Sequence, residues 1–160
     1  MRKIFLLTGF QNWGKTWLIK ELFSCKRFSK NTLHAFGGAS FCVMPQSNDD
    51  LGKDGYERAY HDRIHALRKA GTEPAYIFAA FCPTKETSNQ SADIIRDLYS
   101  KDEIVLIPIE HKWCNHAKLK PDELEQYYSI FRNIRIHPLS QKNPDKKLPE
   151  LQSIVQSCLP

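Results

Sequence analysis

The chain has 160 residues, of which 41% are hydrophobic and 26% are charged, a composition typical of one globular domain of ordinary size. No apolar stretch approaches the roughly 18 residues needed to cross a bilayer, so no membrane-spanning helix is expected. The net charge of +5 suits an anionic partner, but an excess of this size is common without a nucleic-acid role. The five cysteines are widely spaced and form no CxxC pair, which predicts free thiols and a reducing, cytoplasmic setting.

Apolar runs predict the strands of a sheet. The first run, Lys3–Thr8, is nearly continuous, as in a parallel strand that is buried on both faces. Further runs predict strands at 39–44, 75–82, 103–109 and 133–137.

Between these runs, apolar residues recur at helical spacing. The first helix is predicted over 16–24, directly after the first strand. The second is predicted to begin near Asp54, because Asp54 and Glu57 have capping-box spacing, which leaves 46–52 as a polar loop. Later helices are expected to begin at Ser88 or Asn89, at Pro121 and at Pro149.

This alternation predicts a three-layer α/β/α sandwich with a mainly parallel sheet of about five strands. No shift in composition divides residues 1–160, which are therefore expected to form a single domain.

The segment between the first strand and the first helix, residues 9–16, reads G-F-Q-N-W-G-K-T and fits the pattern G-x-x-x-x-G-K-[ST]. Two glycines permit unusual backbone conformations, so that N–H groups can converge on phosphate oxygens, and the helix adds the positive end of its dipole. Lys15 can reach the β- and γ-phosphates, and the Thr16 hydroxyl can ligate magnesium. The predicted binding residues of this phosphate loop are Gly9, Phe10, Gln11, Asn12, Trp13, Gly14, Lys15 and Thr16.

On this loop the chain resembles the P-loop NTPase superfamily, over about the first 24 residues. That resemblance implies a mainly parallel sheet, a bound ATP or GTP with Mg²⁺, and either hydrolysis of the nucleotide or transfer of its terminal phosphoryl group. Members often carry small residues inside the loop, where this chain has Phe10 and Trp13. These two aromatic side chains could contact a base, a substrate or a partner, or simply pack.

A magnesium ion at Thr16 usually needs an acidic residue nearby, and superfamily members commonly have an Asp at the end of an apolar strand. The obvious strand, 75–82, ends without one. Asp49 and Asp50 are the favoured substitutes, with Asp50 as a metal ligand and both as candidate catalytic groups that orient a hydroxyl or a water. Glu110 is the weaker substitute, and an acidic solvated turn at 49–50 is the alternative.

Two other groups of residues predict no site. His111, Cys114 and His116 lack a fourth ligand with the spacing of a structural zinc site, so a solvated basic loop is expected there. The lysines at 142, 146 and 147 have no interleaved aromatic residues, so no nucleic-acid partner is expected.

Three functions are compatible with this sequence. The favoured one is a Mg²⁺-dependent NTPase that is coupled to a protein partner or a conformational switch. The second is a small-molecule or nucleotide kinase, and the third is a nucleotide sensor without catalysis. The first two make the chain an enzyme in which Lys15 stabilises phosphoryl charge. ATP is favoured over GTP, because T-K-E-T at 84–87 lacks the acid of the guanine-reading pattern [NT]KxD.

Overall fold

A computed structural model of the chain describes residues 1–112 and 118–160. The strands are β1 (Lys3–Thr8), β2 (His34–Phe36), β3 (Ala39–Met44), β4 (Tyr76–Phe81), β5 (Glu103–Pro108) and β6 (Ile134–Ile136). The helices are α1 (Lys15–Leu22), α2 (Asn48–Lys69), α3 (Ser91–Tyr99), α4 (Pro121–Tyr127) and α5 (Pro144–Cys158). The predicted bounds of β1 and β3 are confirmed.

The described strands form one mainly parallel sheet in the order β2-β3-β4-β1-β5-β6. β1 lies at its centre and pairs in parallel with β4 on one side and β5 on the other. All three strands are buried on both faces, which explains why they are apolar almost throughout. The predicted α/β fold is confirmed, with six strands in place of about five.

The additional strand, β2, pairs antiparallel with β3 at the edge of the sheet. Its connection to β3 is the dipeptide Gly37-Gly38, in which both residues have positive φ, 60° and 82°. Two-residue hairpin turns with positive φ at both positions match the twist of the strands they join, and glycine adopts them without strain. The Gly-Gly pair before a predicted strand was therefore the sign of this hairpin.

The direction of each crossover connection determines on which face of the sheet its helix lies. The chain moves from β1 past β4 to β3 through α1, and then in the opposite direction from β3 to β4 and from β4 to β5. Because parallel crossovers are right-handed, this reversal puts α1 on one face of the sheet and α2 and α3 on the other. Contacts between α1 and α5, and between α2 and α3, agree with this arrangement. The reversal also opens a crevice between the carboxyl ends of β1 and β4, where open α/β sheets bind ligands.

The start of α2 differs from its prediction. The helix begins at Asn48 after the N-cap Ser47, and its φ/ψ values become non-helical at Gly52 (φ 70°, ψ 171°) before the long helical stretch resumes. The predicted start near Asp54 therefore corresponds to the second segment. Residues 48–51, predicted as part of a polar loop, instead form a short helical turn because Ser47 and Asp50 make a capping box.

The last helix also starts earlier than predicted. α5 begins at Pro144, with Asn143 as N-cap accepting a hydrogen bond from the Asp145 N–H at 2.9 Å. Pro149, the predicted start, lies inside the helix. Pro144 and Pro149 would each suit the first turn of a helix. The helix begins at Pro144 because the Asn143 side chain accepts a hydrogen bond from the Asp145 N–H, which has no partner within the helix.

Cys25, Cys42, Cys82 and Cys158 are free thiols. Within residues 1–112 and 118–160, no helix combines the length and the apolar character that crossing a bilayer requires.

Candidate nucleotide-binding site

The phosphate loop joins the buried end of β1 to the first turn of α1. The Gly9 N–H donates to the Phe81 carbonyl at 3.0 Å, which ties the start of the loop to the end of β4. Gly14 precedes the helix with a left-handed backbone (φ 85°, ψ 15°), and the first turn of α1 contains no acidic residue. The first N–H groups of a helix have no partner within the helix, and together with the helix dipole they favour an anion at the loop.

The Lys15 side chain folds back across this loop and is only 6% exposed. Its Nζ donates to the carbonyls of Gly9 at 2.6 Å and Phe10 at 2.8 Å, and it lies 3.7 Å from Asp49 Oδ2. Burial lowers the pKa of the Lys15 ammonium, and the Asp49 carboxylate opposes that shift. The cation is thus held against the loop by groups on both sides.

The two glycines of the motif do not serve the same purpose. Gly14 has a positive φ, which other residues adopt only at a cost, as the sequence predicts. Gly9 does not: its φ lies outside the left-handed range, and an added Cβ would meet Trp13 Cβ at 3.4 Å, an ordinary contact. The expectation of an unusual backbone at Gly9 is therefore wrong, and the second left-handed residue of the loop is Asn12 (φ 64°).

This difference predicts unequal effects of alanine on stability. Gly14→Ala should lower the free energy of unfolding by about 1–2 kcal/mol, the cost of a left-handed backbone for a residue with a Cβ. Gly9→Ala should leave it within about 0.5 kcal/mol. Urea denaturation of the two variants measures both values, and equal losses would contradict the assignment of strain to Gly14 alone.

The carboxylates of Asp49 and Asp50 lie on the first turn of α2. Asp50 Oδ2 accepts from the Ser47 N–H at 3.3 Å, and the Ser47 side chain accepts from the Asp50 N–H, which completes the capping box. The Ser47 hydroxyl also contacts Asp49 Oδ1. Ser47 thus contacts both side chains, while Asp49 is half-buried and Asp50 remains exposed to solvent.

Asn48, between the cap and these carboxylates, is fully buried and fastens the start of α2 to the end of β4. Its Nδ2 donates to the Cys82 carbonyl at 3.0 Å, and its Oδ1 accepts from the Cys82 N–H at 2.7 Å. Asn89 Nδ2 donates to the Asn48 carbonyl at 2.7 Å. We call Asn48, Cys82 and Asn89 the asparagine clip; it brings Asp49 to the crevice beside β1.

Asp49 faces Lys15 at this crevice. Its Oδ2 is buried and accepts no hydrogen bond from the residues that the structure describes. Burial raises the pKa of the Asp49 carboxyl, Lys15 lowers it, and Asp50 raises it further. A buried carboxylate oxygen without a hydrogen-bond donor is available to a ligand, to a metal ion or to a transferable proton.

The oxygen atoms of Thr16 and Asp50 are suitable ligands for a magnesium ion. Thr16 and Asp50 line the same cavity, and both offer oxygen atoms, the ligands that Mg²⁺ prefers. The Thr16 hydroxyl donates its proton to the Pro45 carbonyl at 3.1 Å, which leaves its lone pairs for a ligand. Within residues 1–112 and 118–160 no cluster of three or more His, Cys, Asp or Glu could hold a metal ion by itself.

Two adjoining cavities meet at Gln11 and Asp49. The phosphate cavity, of about 260 Å³, is lined by residues 11–17 together with Asp49 and Asp50. The larger cavity, of about 610 Å³, lies between Phe10, the loop after β4 and helix α4, and we name it the acceptor cavity for the role that we propose for it. Its described lining is Phe10, Gln11, Asp49, Cys82, Pro83, Thr84, Lys85, Glu86, Asn89, Leu119, Glu123, Leu124 and Tyr127.

The acceptor cavity is mixed in character. Lys85 Nζ lies 4.6 Å from the centre of the Tyr127 ring, so that a cation–π contact joins the loop after β4 to α4. Burial raises the pKa of the Cys82 thiol to about 12, so this cysteine is a small apolar wall residue and not a nucleophile. No arginine is among the described lining residues.

The remaining predicted loop residues divide by position. Trp13 is buried in the core at 5% exposure, so of the roles open to it the structure supports packing. Phe10 packs edge-on against Trp13, with ring centres 5.6 Å apart, and remains exposed at the acceptor cavity. Gln11 lines both cavities and Asn12 lines the phosphate cavity.

The weaker sequence candidates lie elsewhere. Glu110 is not among the lining residues of either cavity. Its Oε2 lies 3.8 Å from His111 Nε2. Cys114 and His116, from the group considered for zinc, lie outside the described residues.

Sequence reasoning missed the asparagine clip, the acceptor cavity and Trp17, which lines the phosphate cavity. The pairing of Ser47 with Asp50 was visible as the pattern S-x-x-D, which marks a capping box. The contact of Asn48 with Cys82 spans 34 positions and has no local sign.

Comparison with known proteins assigns no family. No protein-family model matches the chain, and no curated protein matches it. Among solved structures, it is similar to shikimate kinase from Bacteroides thetaiotaomicron, with a TM-score of 0.37 and 11% identity over 97% of this chain and 98% of that one. A likeness this loose carries no assignment of activity, and the function is therefore inferred from the geometry of the site.

Proposed function

We propose that the chain binds a magnesium–nucleoside triphosphate at residues 9–16 and transfers the terminal phosphoryl group to a hydroxyl of a small molecule in the acceptor cavity. One observation carries this proposal: Asp49 and Gln11 line both cavities. A phosphate chain in one cavity and a hydroxyl compound in the other would therefore meet at Asp49.

The same arrangement supports a role for each polar group in the transfer. A new bond forms between the acceptor oxygen and phosphorus, while the bond from phosphorus to the bridging β-phosphate oxygen breaks. The proton of the hydroxyl passes to the Asp49 carboxylate, whose pKa is raised by burial and so moves towards the range useful for a general base. Lys15 and the loop N–H groups stabilise the charge that the leaving phosphate gains.

Thr16 and Asp50 would hold the magnesium ion, since both line the phosphate cavity and neither lines the acceptor cavity. When bound, magnesium neutralises charge on phosphate oxygens. This divides the two carboxylates, with Asp49 facing the acceptor and Asp50 the metal.

Hydrolysis coupled to a partner, the favoured reading of the sequence, needs no second small-molecule cavity. An acceptor cavity of about 610 Å³ next to the phosphate cavity supports the kinase alternative better, because pockets of 300–1,000 Å³ suit small organic ligands. The lack of arginine in its described lining favours an acceptor without phosphate groups, since arginine is the residue best suited to bind them.

The test is transfer of the γ-phosphate of labelled ATP to a panel of nucleosides, hexoses, inositols and hydroxy acids, read by chromatography of the labelled products. We expect one class to yield a phosphorylated product in preference to inorganic phosphate. Release of inorganic phosphate alone would support the NTPase instead, and nucleotide binding without either product would support the sensor.

A matched pair of variants on α4 should separate the two cavities. Glu123 is exposed on α4 and lines the acceptor cavity, whereas Glu125 is exposed on the same helix and does not line it. Glu123→Trp should reduce transfer by about ten-fold or more through misplacement of the acceptor, without a change in ATP affinity. Glu125→Trp should change neither quantity, and equal transfer by the two variants would place the acceptor elsewhere.

A further inference from the structure

Trp17 is a large aromatic side chain at the mouth of the phosphate cavity. It is the third residue of α1 and remains 45% exposed, whereas the residues that α1 buries are Lys15, Leu18, Ile19 and Leu22. Helical side chains lean towards the N-terminus of their helix. The Trp17 indole therefore leans towards the phosphate loop and away from the core, in agreement with its place in the lining of the phosphate cavity.

The two cavities give a bound nucleotide a direction. The acceptor cavity adjoins the phosphate cavity at Gln11 and Asp49. Trp17 lines the phosphate cavity but not the acceptor cavity. If the terminal phosphate points towards Asp49, the nucleoside leaves the phosphate cavity by a different side. Among the described residues that line the phosphate cavity, Trp17 is the exposed aromatic one, since Trp13 is buried.

We propose that the Trp17 indole is the stacking platform for the base of the nucleotide. This inference rests on the proposed nucleotide binding and adds the position of the base. Stacking on an aromatic ring tolerates any base, because every base has a π-face. The platform therefore does not distinguish adenine from guanine, and ATP and GTP should bind with affinities within about three-fold of each other.

The test compares ligands with and without a base. Isothermal titration calorimetry measures the binding of ATP, GTP and inorganic tripolyphosphate, each with magnesium, to the full chain and to Trp17→Ala and Trp17→Phe. Trp17→Ala should weaken ATP and GTP by on the order of ten-fold, the loss typical of one base–aromatic stack. It should leave tripolyphosphate unchanged, because the phosphate loop is intact.

Two variants make the comparison specific. Trp17→Phe keeps an aromatic ring and should lose less than about three-fold for ATP. Lys20→Ala changes an exposed residue of the same helix that lines neither cavity and should bind all three ligands as the wild type does. Far-ultraviolet circular dichroism confirms that each variant is folded.

Several results would overturn the inference. Unchanged ATP affinity in Trp17→Ala would show that the base lies elsewhere. Equal losses for ATP and tripolyphosphate would show that Trp17 shapes the phosphate loop and does not contact the base. If the wild type bound tripolyphosphate and ATP equally well, the base would have no site at all. If it bound neither, the proposed function itself would fail, and the platform with it.

Discussion

Replacing Lys15 with methionine should weaken nucleotide binding and strongly reduce phosphoryl transfer while leaving the chain folded. The ammonium contacts Gly9, Phe10 and Asp49 and is the one cation among the described lining residues of the phosphate cavity. Without it, charge that develops on the phosphates loses its nearest cation, a loss of about 10²–10³-fold in rate. Calorimetry with Mg–ATP and the release of labelled product measure the two effects.

The effect of this substitution on stability should be small. Two carbonyls lose a hydrogen bond, which costs about 1–3 kcal/mol, and Asp49 loses its nearest cation, but the removal of a largely buried ammonium and protonation of the Asp49 carboxylate offset part of that cost. We therefore expect the free energy of unfolding in urea to fall by less than about 2 kcal/mol. Lys20→Met, on the exposed side of α1, is the control and should change neither activity nor stability. Normal ATP affinity in Lys15→Met would contradict the role of the phosphate loop.

The parts of the fold that could be predicted are those with local signs. β1 is a buried apolar run, and the loop pattern follows it at once, so the strand, the loop and α1 could be placed within one or two residues. Gly37-Gly38 and the pair Ser47 and Asp50 also carried local signs, of a hairpin and of a helix start. Both signs were missed. The apolar run 39–44 drew attention away from the Gly-Gly turn before it, and the polar segment 46–52 was interpreted as a loop although it contains Ser47 and Asp50.

The parts that could not be predicted depend on contacts between distant segments. Which acidic residue approaches Lys15 depends on where α2 begins, and the asparagine clip decides that across 34 positions. The acceptor cavity likewise combines Phe10, the loop after β4 and α4, which no local pattern connects. Periodicity describes how each segment buries its own face, whereas the site is built where several segments end.

Asn48→Ala should have the largest effect on stability of the changes considered. In the wild type, Asn48 Oδ1 accepts from the Cys82 N–H at 2.7 Å and Asn48 Nδ2 donates to the Cys82 carbonyl at 3.0 Å. The variant leaves both of these Cys82 groups without a partner. Each unsatisfied group costs about 1–3 kcal/mol, so the free energy of unfolding in urea should fall by about 3 kcal/mol. Asn31→Ala, which removes an exposed asparagine, is the control and should cost less than about 0.5 kcal/mol.

The same substitution should reduce transfer even where the variant remains folded. The clip fixes the start of α2, and Asp49 is the next residue, so a shift of the helix start moves the carboxylate away from Lys15. A displacement of about 1 Å can cost about 10²-fold in rate. Asn48→Asp distinguishes the two roles of the amide, because its carboxylate still accepts from the Cys82 N–H but faces the Cys82 carbonyl without a donor. Full activity in Asn48→Ala would mean that the cap at Ser47 alone positions Asp49.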